Sequence, residues 1–160
     1  MNLSFRPITA EDVRQFFGWR YDPPSDLYTY DEDPSTDDLA YYLDPRHHFY
    51  MVVDDTGALM ALCSFGEDGR VPGHDYSSDA LDIGFALRPD LTGQGRGTEY
   101  VRCVIDFASA TFVPKALRVT IAAFNQRAQK VWQKLGFVEI SRFGRTSDGM
   151  PFIVYMKTGL

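Results

Sequence analysis

The apolar positions of this chain change period several times, and each change marks an element. Leu3-Ser4-Phe5 reads as a short strand that stops at Pro7. Thr9 followed by Asp12 has the form of a capping box, and Val13, Phe16 and Phe17 then fall at helical spacing. Ser35 and Asp38 repeat that start signal, with Leu39, Tyr42 and Leu43 as the apolar stripe. Phe49–Val53 and Leu59–Phe65 are strand-like runs joined by Asp54-Asp55-Thr56-Gly57, a hairpin connection. Leu81–Leu87 alternates strictly: Leu81, Ile83, Phe85 and Leu87 on one face, Asp82, Gly84 and Ala86 on the other.

Further along, Val101, Val104, Ile105 and Ala108 make a helical stripe, and Arg118–Phe124 is rich in strand formers. Ala128, Val131, Trp132 and Leu135 form the next helical stripe, stopped by Gly136. Phe137–Phe143 and Phe152–Met156 close the chain as a hairpin around Ser147-Asp148-Gly149. The predicted order is strand, two helices, three strands, helix, strand, helix, two strands. That order, with no repeat or linker, predicts one α/β domain over residues 1–160. Connections 20–34 and 66–79 are long enough to be functional rather than idle.

Composition narrows the class. Hydrophobic residues make up 44% and charged residues 24% of the chain, which is globular. No apolar run approaches the roughly 18 residues a membrane helix needs, and the N-terminus predicts no secretion signal. Cys63 and Cys103 fall in apolar patterns without a CxxC partner or a nearby His pattern. They predict reduced core thiols in a cytoplasmic protein, with no metal site; a disulfide between them or a catalytic thiol is the alternative. The net charge of −6 is unevenly spread: residues 1–87 sum to −12, residues 88–134 to +5. An acidic protein is a poor partner for nucleic acid, whereas opposed halves suit two ligands of opposite sign.

The chemistry-bearing segment is Thr92-Gly93-Gln94-Gly95-Arg96-Gly97-Thr98, between the alternating strand and a helix. Glycine at every second position allows close backbone approach, and the helix dipole adds to an anion site. No lysine follows as in a Walker A loop, and Thr98 stands where a dinucleotide fingerprint needs its last glycine. The spacing instead resembles the acetyl-CoA pyrophosphate loop of the GNAT acetyltransferases, Q/R-x-x-G-x-G/A, with Thr92 in place of the first residue. Asn125-Gln126-Arg127-Ala128 followed by Leu135-Gly136-Phe137 is similar to the same family's pantetheine-side helix, and Leu81–Phe85 looks like its central strand. The element order agrees too, so the resemblance spans the chain and implies a GNAT fold with a mixed, mostly antiparallel sheet.

The resemblance implies acetyl transfer from acetyl-CoA to a primary amine, of a small molecule or a protein N-terminus, by direct attack. It also implies coenzyme contacts from Phe85, Ala86, Leu87, Thr92–Thr98, Asn125 and Arg127, and an oxyanion contact from the Phe85 backbone N–H. Asn125 is further carried over as a catalytic-site residue. Arg88, Arg96 and Lys130 are nearby cations that could reach phosphate or face solvent.

For the base, Asp82 is the one charged residue of its strand and lies on the small-residue face; a purely structural carboxylate is the alternative, and His74 a second candidate. His47 and His48, just ahead of a strand, are weaker candidates. Relatives place a tyrosine acid seven residues after the asparagine. Trp132 stands there instead, which predicts packing at that position and leaves two routes for the sulfur, protonation by another group or departure as thiolate. On the acceptor side, Trp19, Tyr21, Tyr28 and Tyr30 are interleaved with acids, a combination suited to a cationic amine. A homodimer stays open, as does a non-catalytic CoA-binding sensor.

Overall fold

The computed structural model describes residues 2–160. Seven strands form one sheet in the order β1-β2-β3-β4-β5-β7-β6. They are β1 (Ser4–Pro7), β2 (Phe49–Val53), β3 (Leu59–Phe65), β4 (Leu81–Leu87), β5 (Leu117–Ala122), β6 (Val138–Gly144) and β7 (Pro151–Lys157). Every neighbouring pair is antiparallel except β4 and β5, which run parallel. The helices are α1 (Ala10–Phe17), α2 (Thr36–Leu43), α3 (Gly97–Phe112) and α4 (Gln126–Lys134). The order of elements is the predicted one, with ends displaced by a residue or two.

Alternation along β2 and β3 feeds two cores. Met51, Val53, Leu59 and Leu62 pack with Phe16, Phe17 and Tyr42 of α1 and α2. Val52, Ala61, Cys63 and Phe65 pack with the α3 stripe and with Trp132 and Phe137. Helices therefore cover both faces, which is why these strands read as nearly continuous apolar runs. Cys63 is buried, and burial pushes its thiol above the usual range. Cys103 is only half-buried on α3, contrary to the expectation of a core thiol. Its flanks are Arg102 and Val104, so the stripe that buries Val104 turns it toward the rim.

Both predicted capping boxes form. At α1 the box also closes a half-buried ion pair: Asp12 accepts from the Thr9 amide at 2.8 Å and from Arg6 Nη2 at 2.8 Å. Burial alone would raise the Asp12 pKa, but the bonds from Arg6 and Thr9 outweigh it and hold it below the ordinary value. With the folded value below the unfolded one of about 3.9, this stabilisation is complete above that pH and is lost as pH falls through the folded value. Asp12→Asn is expected to lower neutral stability by about 1–2 kcal/mol and to flatten the acid limb of stability against pH. Urea titrations from pH 6 down to pH 2 check both, and an unchanged acid limb would remove Asp12 from the account.

Candidate active site

The sheet opens in its middle. β4 pairs with β5 only at Leu81↔Leu117 and Asp82↔Arg118, after which β5 continues along β7 and β4 along β3. Backbone groups of successive residues in a strand point to opposite edges. The Leu81 amide donates to Ala116 on the β5 side, and the Asp82 carbonyl accepts from Gly66 on the β3 side. The odd-numbered residues therefore aim their amides at the gap, and beyond Asp82 there is no strand to receive those of Phe85 and Leu87. One gap-facing carbonyl is taken, because the Tyr21 hydroxyl donates to the Leu87 oxygen at 2.7 Å.

The glycine loop follows at the open end of this wedge. Its side chains fold it on itself: the Thr92 hydroxyl donates to the Pro89 carbonyl at 2.6 Å and the Gln94 amide to the Asp90 carbonyl at 2.6 Å. Gly93 and Gly95 have φ of +72° and +75°, the left-handed region a side chain disfavours. Among the described residues, no amide from Gly93 to Thr98 has an acceptor in the chain, and Arg96 does not cap α3 with its side chain. A row of free amides at the start of a 16-residue helix is a fitting cradle for phosphate oxygens. The Arg127 guanidinium comes over it from α4: a Cβ on Gly93 would lie 3.4 Å from its nitrogens.

The other cations near the loop are engaged differently. Arg88 is paired with Asp90 at 2.6 Å and donates to the Leu59 carbonyl, while Arg96 pairs with Glu99 at 3.3 Å. Asn125 caps α4 through Ala128, and Tyr28 lies against neighbouring Phe124 with ring centres 6.0 Å apart. Burial raises the Tyr28 phenol, with the Asn125 amide and Arg145 working against it. Trp132 is packing, edge-on to Phe137 at 5.0 Å and to Phe85 at 6.5 Å.

The structure places Asp82, the first candidate base, inside a buried ion-pair cluster. Only 1% of Asp82 is exposed, and its carboxylate accepts from Arg118 Nε (2.7 Å), Arg118 Nη2 (2.8 Å) and Arg70 Nε (2.9 Å). Arg118 is 0% exposed and is further tied to Ser78, to the Tyr76 carbonyl and to the Tyr76 ring. Both carboxylate oxygens are thus occupied and closed to an amine. Strand alternation predicted the face of Asp82, but the parallel β4–β5 pair that sets Arg118 beside it is not a local pattern. His74, the other candidate base, is packed between Tyr76 and Phe143.

The four aromatic residues of the acceptor-side expectation are divided. Tyr21 and Tyr28 stand edge to face at 6.2 Å on the wedge side. Trp19 packs edge-on against Phe16 in the α1–α2 core. Tyr30 stacks on Phe17 at 4.0 Å and hydrogen-bonds the Tyr42 hydroxyl at 2.9 Å. Tyr30 also lines a cavity of about 180 Å³ over Gly84–Ala86, together with Phe16, Tyr42, Phe49, Ser64 and Asp68. Asp68 and Tyr42 of this lining lie outside the acceptor-side residues that the sequence singles out, although Asp68 falls in the long 66–79 connection.

Comparison with known proteins gives the family and the fold. The family model of the acetyltransferase (GNAT) domain matches residues 2–138, and the chain belongs to that family. A chimeric spermidine N-acetyltransferase SpeG from Vibrio cholerae and hSSAT superposes with a TM-score of 0.73 at 16% identity, covering 99% of this chain and 96% of that one. A GNAT-family acetyltransferase from Bacillus anthracis gives 0.73 at 13% identity, covering 99% and 95%. A dodecameric spermidine N-acetyltransferase from Vibrio cholerae gives 0.69 at 16%, covering 98% and 94%. No curated protein sequence matches the chain. Among the described residues, no helix is long and apolar enough to cross a membrane.

Proposed function

We propose that the protein transfers an acetyl group from acetyl-CoA to a primary amine within a ternary complex. The observation that carries this reading is the continuity of the β4–β5 wedge with the uncapped glycine loop. The wedge suits an extended arm and the loop suits a pyrophosphate, so one coenzyme spans both. In this reading the amides of residues 93–98 and the Arg127 guanidinium hold the pyrophosphate. The Phe85 amide, unpaired at the edge of β4, donates to the thioester carbonyl oxygen as charge develops there. Asn125 serves by capping α4, which keeps Arg127 above the loop. Trp132 has no acidic proton to give, and a thiol of pKa about 8.5 leaves as thiolate without one.

No side chain on the wedge is placed as a covalent relay, so attack by the amine is direct. The amine library that tests this should include polyamines, because spermidine acetyltransferases share the fold, beside monoamines and peptides with free N-termini. Steady release of CoA thiol with at least one of these amines is the expected result. Tight CoA binding without turnover on any of them would instead identify a coenzyme sensor. Thermal stabilisation by ATP or NAD and not by CoA would overturn the reading at its root.

A further inference from the structure

The donor wedge and the aromatic cavity meet at one residue. Phe85 lines the cavity, and its amide faces the gap between β4 and β5. Whatever occupies the cavity therefore sits beside the place where the acyl carbonyl would lie. Gly84 keeps that approach open: a Cβ there would come within 2.4 Å of Ser64 Oγ and 3.5 Å of Asp68 Oδ2. The same distance shows that the Asp68 carboxylate lies close over the strand.

Asp68 is held in place and is not neutralised. Tyr41 donates to its Oδ1 at 2.5 Å, and Ser64 to its Oδ2 at 3.4 Å. No cation pairs with it among the described residues, in contrast to Asp82 and its two arginines. Burial, then the hydrogen bond to Asp68 and its charge, raises the Tyr41 phenol, so Tyr41 stays a donor across the neutral range. The remaining walls include Phe16, Phe49 and the phenol pair Tyr30–Tyr42, together with Leu62, Cys63 and Ala86. One exposed anion at the edge of an aromatic cavity is complementary to a cation carrying an apolar body.

We infer that Asp68, and not Asp82, seats the acceptor's ammonium group and takes up its proton, and that the cavity selects compact primary amines with an apolar or aromatic body. This rests on the acyl-transfer reading above. In the step, the ammonium nitrogen gives one proton to the Asp68 carboxylate, which is exposed and passes it to water. The freed lone pair forms the C–N bond to the acyl carbon, and the C–S electron pair leaves with sulfur. The second nitrogen proton goes to the thiolate or to solvent, leaving an amide and CoA.

The test uses 2-phenylethylamine as probe and 2-phenylethanol as its uncharged counterpart, with the wild type, Asp68→Asn and Tyr41→Phe. Asp68 is exposed, so its isosteric variant keeps the fold. Calorimetry with CoA present should show the amine binding about 10- to 100-fold more weakly to Asp68→Asn, with the alcohol and CoA itself unaffected. Turnover with acetyl-CoA should fall about 100-fold or more in kcat/KM for the amine. Tyr41→Phe, which only orients Asp68, should raise KM for the amine with little change in kcat.

The inference fails if the amine does not bind the wild type at millimolar concentration, or if Asp68→Asn binds and acetylates it within about twofold of wild type. Should CoA itself not bind, the acyl-transfer reading falls by that measurement. Charge-dependent amine binding to the coenzyme-free protein then still decides whether Asp68 is an ammonium seat.

Discussion

Asp82→Asn is expected to lower the stability of the fold by about 3–5 kcal/mol, the cost of leaving a buried charge without its partner. Arg118 has no solvent to turn to, being 0% exposed. Its remaining contacts are Ser78 and the carbonyl and ring of Tyr76, which accept hydrogen bonds or attract a cation but do not neutralise it. Urea titration should show a large fall in the midpoint with little change in slope. Replacing both members, as Asp82→Leu with Arg118→Leu, should recover much of the loss, because a buried pair contributes far less than either unpaired charge costs. A variant Asp82→Asn of near wild-type stability but without activity would restore Asp82 to the role of base. The clamp also fixes the last β4–β5 pair before the gap, so partial loosening should reach coenzyme affinity before it reaches global unfolding.

The second large effect concerns the cradle. Gly95→Val should weaken CoA binding about 100-fold while leaving the melting midpoint within a few degrees of wild type. Gly95 has φ of +75°, and a Cβ there meets no atom of the chain within 4 Å. The new side chain is therefore not excluded by packing. A β-branched residue is nonetheless strained in the left-handed region and drives the loop toward another conformation. The amides of residues 93–98 would then no longer converge, and each charge-assisted bond lost weakens phosphate binding by a further factor. Gly95→Ala, less strained, should fall between wild type and valine. Unchanged CoA affinity in the valine variant would sink the assignment of this loop to pyrophosphate.

The elements were legible because their signals are local. Two capping boxes, the alternation of Leu81–Leu87 and the stripe Val101–Ala108 lie within a few residues of sequence, and the structure keeps each of them. The glycine loop was legible for the same reason. The wedge was not, because it arises where β5 leaves β4 to follow β7, a choice made more than thirty residues further along the chain. Asp82 shows the limit most sharply. Its face and isolation were readable, but Arg118 and Arg70 reach it from β5 and from the 66–79 connection. Asp68 was hidden in the opposite way: in sequence it is one acid of many, and only the fold places Tyr41, Ser64 and Gly84 around it.

The edge of β4 has a consequence for how such a protein diverges. The group that Phe85 offers to the gap is a main-chain amide, and it survives every substitution at that position except proline. Most of the groups at the glycine loop are main-chain amides too, so drift in the surrounding side chains leaves them standing. The cavity over Gly84–Ala86 is built in contrast from side chains, each one codon change from another shape or charge. In the acyl-transfer reading, the donor side is therefore less exposed to side-chain drift than the acceptor side, the left-handed glycines of the loop apart. A lineage carrying this architecture can exchange its acceptor repeatedly while its donor stays the same.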